Sequence, residues 1–181
     1  MVQSVLGDLA VLNGDLHLQR PDIRLQGADG CFRPVRSDVP DLVQVSGKWD
    51  ESSTTEKNAT LHFRFRRGQP FPGEPAFEWT IHGEKGEIRI VSQKTAFIQL
   101  GDPTAPRVIE IHDFATDNVD TVEWDWESWQ QDLSYPARSV GVLYEAFAEV
   151  KQKGSKEKYV TMEIATKRHE QLENLLAGWQ L

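Results

Sequence analysis

The middle third of the chain alternates apolar and polar residues strictly, and that pattern constrains the fold more than any other feature. Along residues 60–66, Leu61, Phe63 and Phe65 take every second place, with Thr60, His62, Arg64 and Arg66 between them. Phe77, Trp79 and Ile81 alternate in the same way with Glu78, Thr80 and His82. Period two puts successive side chains on opposite faces, which is the mark of a half-buried strand. Gly83-Glu84-Lys85-Gly86 then turns the chain into Glu87-Ile88-Arg89-Ile90-Val91, a hairpin with glycine at both ends of its turn. Further alternating runs are read at residues 95–100, 107–111 and 120–126, with a short apolar run at 42–46. Every connection here is short enough to favour antiparallel neighbours, and residues 51–58 read as a polar hairpin tip.

The two ends of the chain follow other rules. Val2 to Leu6 followed by Gly7 reads as the last turn of a helix closed by a glycine, so its start is expected outside the chain or in a truncated domain. Residues 9–19 read as an extended segment kinked at Asn13-Gly14. Residues 20–40, with three prolines and two glycines, read as a long loop. Val140, Leu143, Phe147 and Val150 fall at helical spacing after Pro136, and that helix should stop near Gly154. A second helix is expected after Thr161, with Glu163 in its first turn and Ile164, Leu172, Leu175 and Leu176 along one stripe. Strands followed by helices predict one α+β domain over residues 1–181, an open, mainly antiparallel sheet with helices on one face. Its core is expected from Leu61, Phe63, Phe65, Phe77, Trp79, Ile81, Ile88 and Ile90, covered by Val140, Leu143, Phe147, Leu172 and Leu175.

Charge and chemistry narrow the function classes. The 181 residues carry 28 acidic against 20 basic side chains, a formal charge of −8, which argues against broad attraction to a nucleic-acid backbone. Cys31 is the single cysteine, so no intramolecular disulfide or thiolate-rich metal site can form, and a reducing, intracellular compartment is expected. No run is long and apolar enough for a membrane span, and residues 1–8 lack a signal core, so no membrane partner is expected and the Asn58 sequon reads as a strand start.

His17, His62, His82, His112 and His169 are isolated from one another, which predicts no metal site; His62 and His82 read as members of one cross-strand polar ladder. Glu123, Asp125 and Glu127 read as a solvated strand face opposite Val122, Trp124 and Trp126, not a glycosidase pair. Gly83 and Gly86 lack the third glycine and following helix of a dinucleotide fingerprint. Arg64-Phe65-Arg66-Arg67 reads as a sheet-face ladder in preference to a nucleic-acid contact. Trp124, Trp126, Trp129 and Trp179 could form a platform, but their spacing favours packing.

Phe71-Pro72-Gly73, the run from Phe77 to Ile88 and the helix around Tyr144-Glu145-Ala146-Phe147 together resemble the C-terminal half of the glucose-fructose oxidoreductase/inositol dehydrogenase family. The resemblance is strongest to its fungal galactose-regulon repressor branch, which Val5-Leu6-Gly7-Asp8 and Lys167-Arg168-His169 also resemble at the two ends. It implies an α+β domain that in relatives follows a nucleotide-binding Rossmann domain and often dimerises through its open sheet. The Rossmann half, with its glycine-rich loop and catalytic lysine, has no counterpart among these residues. The resemblance therefore implies no catalytic, cofactor-binding or metal position in this chain, with NAD(P) expected only alongside a Rossmann domain. The expectation is a non-catalytic association domain in the cytoplasm or nucleus, serving regulation of the galactose type with a regulatory protein partner. The alternative is the substrate-side and dimerisation part of an NAD(P)-dependent sugar or polyol oxidoreductase. A homodimer is expected through the polar face, with Arg64 and Glu78 as candidate partners across it.

Overall fold

A computed structural model describes residues 2–97, 107–154 and 159–179. The chain is α+β, with mostly antiparallel open sheets, and it divides into two compact units. The first comprises residues 1–68 and 162–181, the second residues 69–161.

In the first unit, helix α1 (Val2–Leu6) ends at Gly7, whose φ of 92° and N–H bond to the Gln3 carbonyl make the expected glycine stop. Strands β1 (Leu9–His17), β4 (Leu42–Trp49) and β5 (Thr60–Arg66) form an antiparallel sheet in the order β1-β4-β5. The register irregularity in β1 lies between Leu9 and Val11, and Asn13-Gly14 pairs regularly with Val45 and Ser46, so the expected kink is displaced. One face of this sheet carries Leu9, Val43, Val45, Trp49, Leu61, Phe63 and Phe65. Helix α4 (Met162–Ala177) lies against β1, where the Leu175 side chain packs on Gly14. A side chain at Gly14 would occupy the space that Leu175 fills.

The expected long loop at residues 20–40 is instead a two-stranded ribbon, β2 (Asp22–Gln26) with β3 (Phe32–Arg36). Its prolines hid it. Pro34 sits within β3 opposite Arg24, a place open to proline only because a ribbon strand has a free edge. At its base, Asp41 is 3% exposed, and its carboxylate accepts the backbone N–H groups of Gln19 (2.7 Å) and Arg20 (3.0 Å).

In the second unit, β6 (Phe77–His82), β7 (Gly86–Ser92), β8 (Arg107–Asp113) and β9 (Asn118–Thr121) form a four-stranded antiparallel meander. The β6–β7 hairpin closes where the sequence placed it, with Gly83 N–H donating to the Gly86 carbonyl at 2.9 Å. Residues 95–97 are not strand, and the rest of the expected 95–100 run lies outside the described residues. The run at 120–126 also leaves the sheet early, since β9 stops at Thr121. Trp124 and Trp126 then lead into the short helix α2 (Ser128–Gln131) and the long α3 (Tyr135–Lys153). Ser134 precedes α3, Pro136 lies in its first turn, and Gly154 closes it at φ 60°. Trp129 and Leu133 crowd Gly141, so α3 packs on the segment before it.

Two expectations about the core are therefore corrected. β5 pairs with β4 and not with β6, so Leu61, Phe63 and Phe65 do not share a sheet with Phe77, Trp79 and Ile81. Nor do α3 and α4 belong to one unit, and it is α4 that packs on the first sheet, at β1. Among the described residues the buried hydrophobic ones are Leu9, Leu42, Val45 and Trp49, whereas Phe63 (44%), Phe65 (37%), Ile88, Val140, Leu143, Phe147 and Leu172 are exposed. Alternation reports which face a side chain takes. It does not report whether another element reaches that face.

Candidate functional site

The polar face of the first sheet is built by register. Asp15, Gln44 and Arg64 stand in one cross-strand row, and Asn13, Ser46 and His62 in the next. Between the rows lies a shallow depression of about 220 Å³, lined by Asn13, Asp15, Gln44, Ser46 and His62 among others. Opposite charges at Asp15 and Arg64 flank the neutral Gln44, so the face offers donors and acceptors in mixed order.

The second sheet carries its own polar face, with a cross-strand ladder that keeps His82 of the expected one. His82 Nδ1 lies 2.6 Å from Glu87 Oε1, and Arg89 donates to Glu110 Oε2 through Nε (3.0 Å) and Nη2 (2.7 Å). The hydrogen bonds and charge of Glu110 raise the Arg89 guanidinium above its ordinary value, which keeps it cationic. His112 Nε2 reaches Asp117 Oδ1 at 2.9 Å and sets its ring edge-on to Phe114. The Thr116 backbone N–H, followed by its hydroxyl, lowers the Asp113 carboxyl. His62 does not belong to this ladder, because β5 lies in the other sheet. For the same reason Arg64 and Glu78 are not neighbours within one sheet.

An arginine–aromatic cluster follows β9. The Arg107 guanidinium lies 5.0 Å from the Tyr135 ring centre, and its Nη1 donates to the Tyr135 hydroxyl. Arg138 stacks over both Tyr135 (5.3 Å) and Trp126 (5.8 Å), and it donates to the carbonyls of Leu133 and Gln131. Trp126 is edge-on to Trp124 and Tyr135 at 6.0 Å each. Arg107 Nε and Nη2 and the opposing Ser92 Oγ are buried without a hydrogen-bond partner. Sequence reading missed this cluster, because spacing links the tryptophans to each other but not to arginines from a strand and a helix.

The remaining singled-out residues separate. His17 ends β1, His169 on α4 lies 3.9 Å from Glu173, and Arg66 and Arg67 stand at the end of β5, where Arg67 N–H donates to the Asp41 carbonyl. Glu127 caps α2 and Asp125 accepts from Gln131, so neither stands on a strand. Trp179 Nε1 donates to the Asp38 carbonyl. Among the described residues no three His, Cys, Asp or Glu side chains converge as metal ligands. No described helix is long and apolar enough to cross a membrane.

No protein-family description and no curated protein matches the chain. Solved structures do. The chain is similar to a protein assigned as an NADPH-dependent oxidoreductase from Desulfitobacterium hafniense, at 15% identity and a TM-score of 0.55. That match covers 97% of this chain and 40% of the other. It is also similar to the transcriptional regulator Gal80p from Kluyveromyces lactis, at 13% identity and a TM-score of 0.54, over 82% of this chain and 33% of that one. The chain thus spans well under half the length of either protein, and at these identities the likeness is one of fold. The shared fold is α+β with mostly antiparallel open sheets, found in part of an oxidoreductase and in part of a transcriptional regulator, and it fits the family resemblance read from the sequence.

Proposed function

We propose that this chain works as a protein-association domain in regulation of the galactose type, with an oxidoreductase-like fold used for binding. The observation that carries the reading is the amount of apolar surface left open. Phe63 and Phe65 on β5 are exposed in the first unit, and Val140, Leu143, Tyr144 and Phe147 on α3 are exposed in the second, and open apolar side chains grouped on one element in this way mark interaction sites. The fold likeness to a transcriptional regulator supports the same reading. Self-association through the polar face of the first sheet belongs to it. Isologous pairing of that face would bring Arg64 of one copy against Asp15 of the other, in place of the expected Glu78.

Calorimetry with NADPH and sedimentation test the reading together. The expected outcome is no heat of binding and self-association at micromolar concentration that Arg64→Glu weakens. Micromolar NADPH affinity would favour the second reading, the substrate-side and dimerisation part of an NAD(P)-dependent sugar or polyol oxidoreductase. The fold likeness to an NADPH-dependent oxidoreductase supports that alternative. A strictly monomeric chain that also binds no partner protein would remove the association reading.

A further inference from the structure

The β2–β3 ribbon is an arm whose residues are almost all exposed. Its two strands pair with each other, while among the described residues no strand neighbours either outer edge. Leu25 (58%), Phe32 (60%) and Val35 lie open on it. An isolated two-stranded hairpin is marginal in water, so a ribbon this exposed gains from a further strand or surface. Its charge is unlike that of the rest of the chain. Residues 20–36 carry four arginines against two aspartates, in a molecule whose formal charge is −8. Arg24 stacks over Phe32 at 5.9 Å and Arg33 pairs with Asp29 at 3.2 Å, which spreads positive charge along the ribbon beside its apolar side chains.

A complementary surface exists elsewhere in the same sequence. Between Asp113 and Glu127 there are six acidic side chains, Asp113, Asp117, Asp120, Glu123, Asp125 and Glu127, and no lysine or arginine. The centre of this segment is β9, an edge strand of the second sheet among the described residues, exposed along its whole length. Val119 (58%), Phe114 and Trp124 add open apolar surface. The ladder also decides which of its backbone groups are free. Val122 N–H donates to the Ile109 carbonyl, and the register runs on through Asp120 opposite Ile111. In an antiparallel pair the bonded positions alternate, so Val119 and Thr121 turn their N–H and C=O groups outward.

We propose that the β2–β3 ribbon of one molecule docks as an added strand on the β9 edge of a second copy, its arginines facing the acidic 113–127 segment, with the contact made twice by reciprocal exchange. Backbone bonds supply the attachment, as in strand addition to any open edge, and the opposed charges set the register. Reciprocity makes the assembly closed and doubles the area that one short arm could bury. A nucleic acid fits the ribbon's arginines less well, because it would meet the acidic remainder of the chain and leave Leu25 and Val35 uncovered. The contact is independent of the polar face around Arg64, so the two can fail separately.

The test is sedimentation velocity of the full chain from 1 to 100 µM at low and high salt, where these concentrations are set on the order of typical weak dimers. Self-association should weaken as salt rises. Val119→Pro deletes an outward N–H and spares the bonds to β8, so it should weaken association at least tenfold. The double variant Arg24→Glu/Arg36→Glu should do the same, and Asp120→Arg/Glu123→Arg in the partner should restore a mixed dimer. A spin label on Cys31, the only cysteine and exposed beside the ribbon turn, should be immobilised on dimerisation in wild type but not in Val119→Pro. A chain that stays monomeric, or one whose association is indifferent to Val119→Pro and to the arginine reversal, overturns the proposal. Association lost with Arg64→Glu alone would leave the polar face as the contact. Retardation of a DNA duplex by the ribbon arginines, with no self-association, would assign the arm to nucleic acid instead.

Discussion

Single side chains in the first unit show how far local chemistry carries stability. Asp8 receives Lys167 Nζ at 2.6 Å and Arg168 Nη2 at 2.7 Å, tying the start of β1 to α4, and these two partners hold its carboxyl below the usual carboxylate range. A depressed folded-state value stabilises the fold above the unfolded-state value and is lost as pH falls through the folded one. The stability difference between wild type and Asp8→Asn should therefore be about 0.5–1 kcal/mol near neutrality, because the site is partly exposed, and should be lost as pH falls below the ordinary carboxylate value and through the lowered one. Denaturant melts across that range check it. Asp41→Ala removes the buried carboxylate that accepts two part-buried backbone N–H groups and should cost about 1.5–3 kcal/mol, read as a lowered midpoint at unchanged slope. Burial rather than alternation ranks the aromatic positions. Trp49, 2% exposed, should cost about 3–5 kcal/mol when cut to alanine, and the half-open Phe63 only about 1 kcal/mol.

Whole elements were legible where local signals agree. The β6–β7 hairpin combines alternation with a glycine at each end of its turn, and α3 combines an apolar stripe with Pro136 near its start and Gly154 at its end. Gly86 has a second duty, since a Cβ there would collide with the His112 carbonyl across the β7–β8 ladder. Gly86→Ala should cost about 2 kcal/mol and speed hydrogen exchange in β7 and β8 before β4 and β5. The β2–β3 ribbon was illegible for the opposite reason. Pro21, Pro34 and Pro40 are loop signals in any local reading, and only the absence of a second neighbour lets β3 accommodate one of them. The segment after Thr121 misleads in the other direction. Val122, Trp124 and Trp126 alternate well, but their rings are drawn into the cluster with Tyr135 and Arg138, which takes the chain out of the sheet.

At the scale of the whole chain, the first unit is closed by its own C-terminal helix. Arg168, Gln171, Leu175 and Trp179 of the last segment reach Asp8, Gln3, Gly14 and Asp38, all in the first 68 residues. Cutting the chain after Thr161 should unfold the β1-β4-β5 sheet and leave the β6–β9 meander protected, as hydrogen exchange resolved by segment would show. Retained protection in β4 would mean that the sheet stands without α4. What the sequence determined alone was the alternation of faces, the hairpin, the helix ends and the α+β class, because those depend on neighbours within a few residues. Which strands share a sheet was decided by tertiary structure. Phe63 and Trp79 carry the same local pattern, and nothing within either strand says that β5 returns to β4 while β6 begins a new sheet. Burial on the first sheet was decided the same way, by where α4 comes to rest. That depends on contacts more than a hundred residues apart, such as Leu175 on Gly14, whose signal no short window contains.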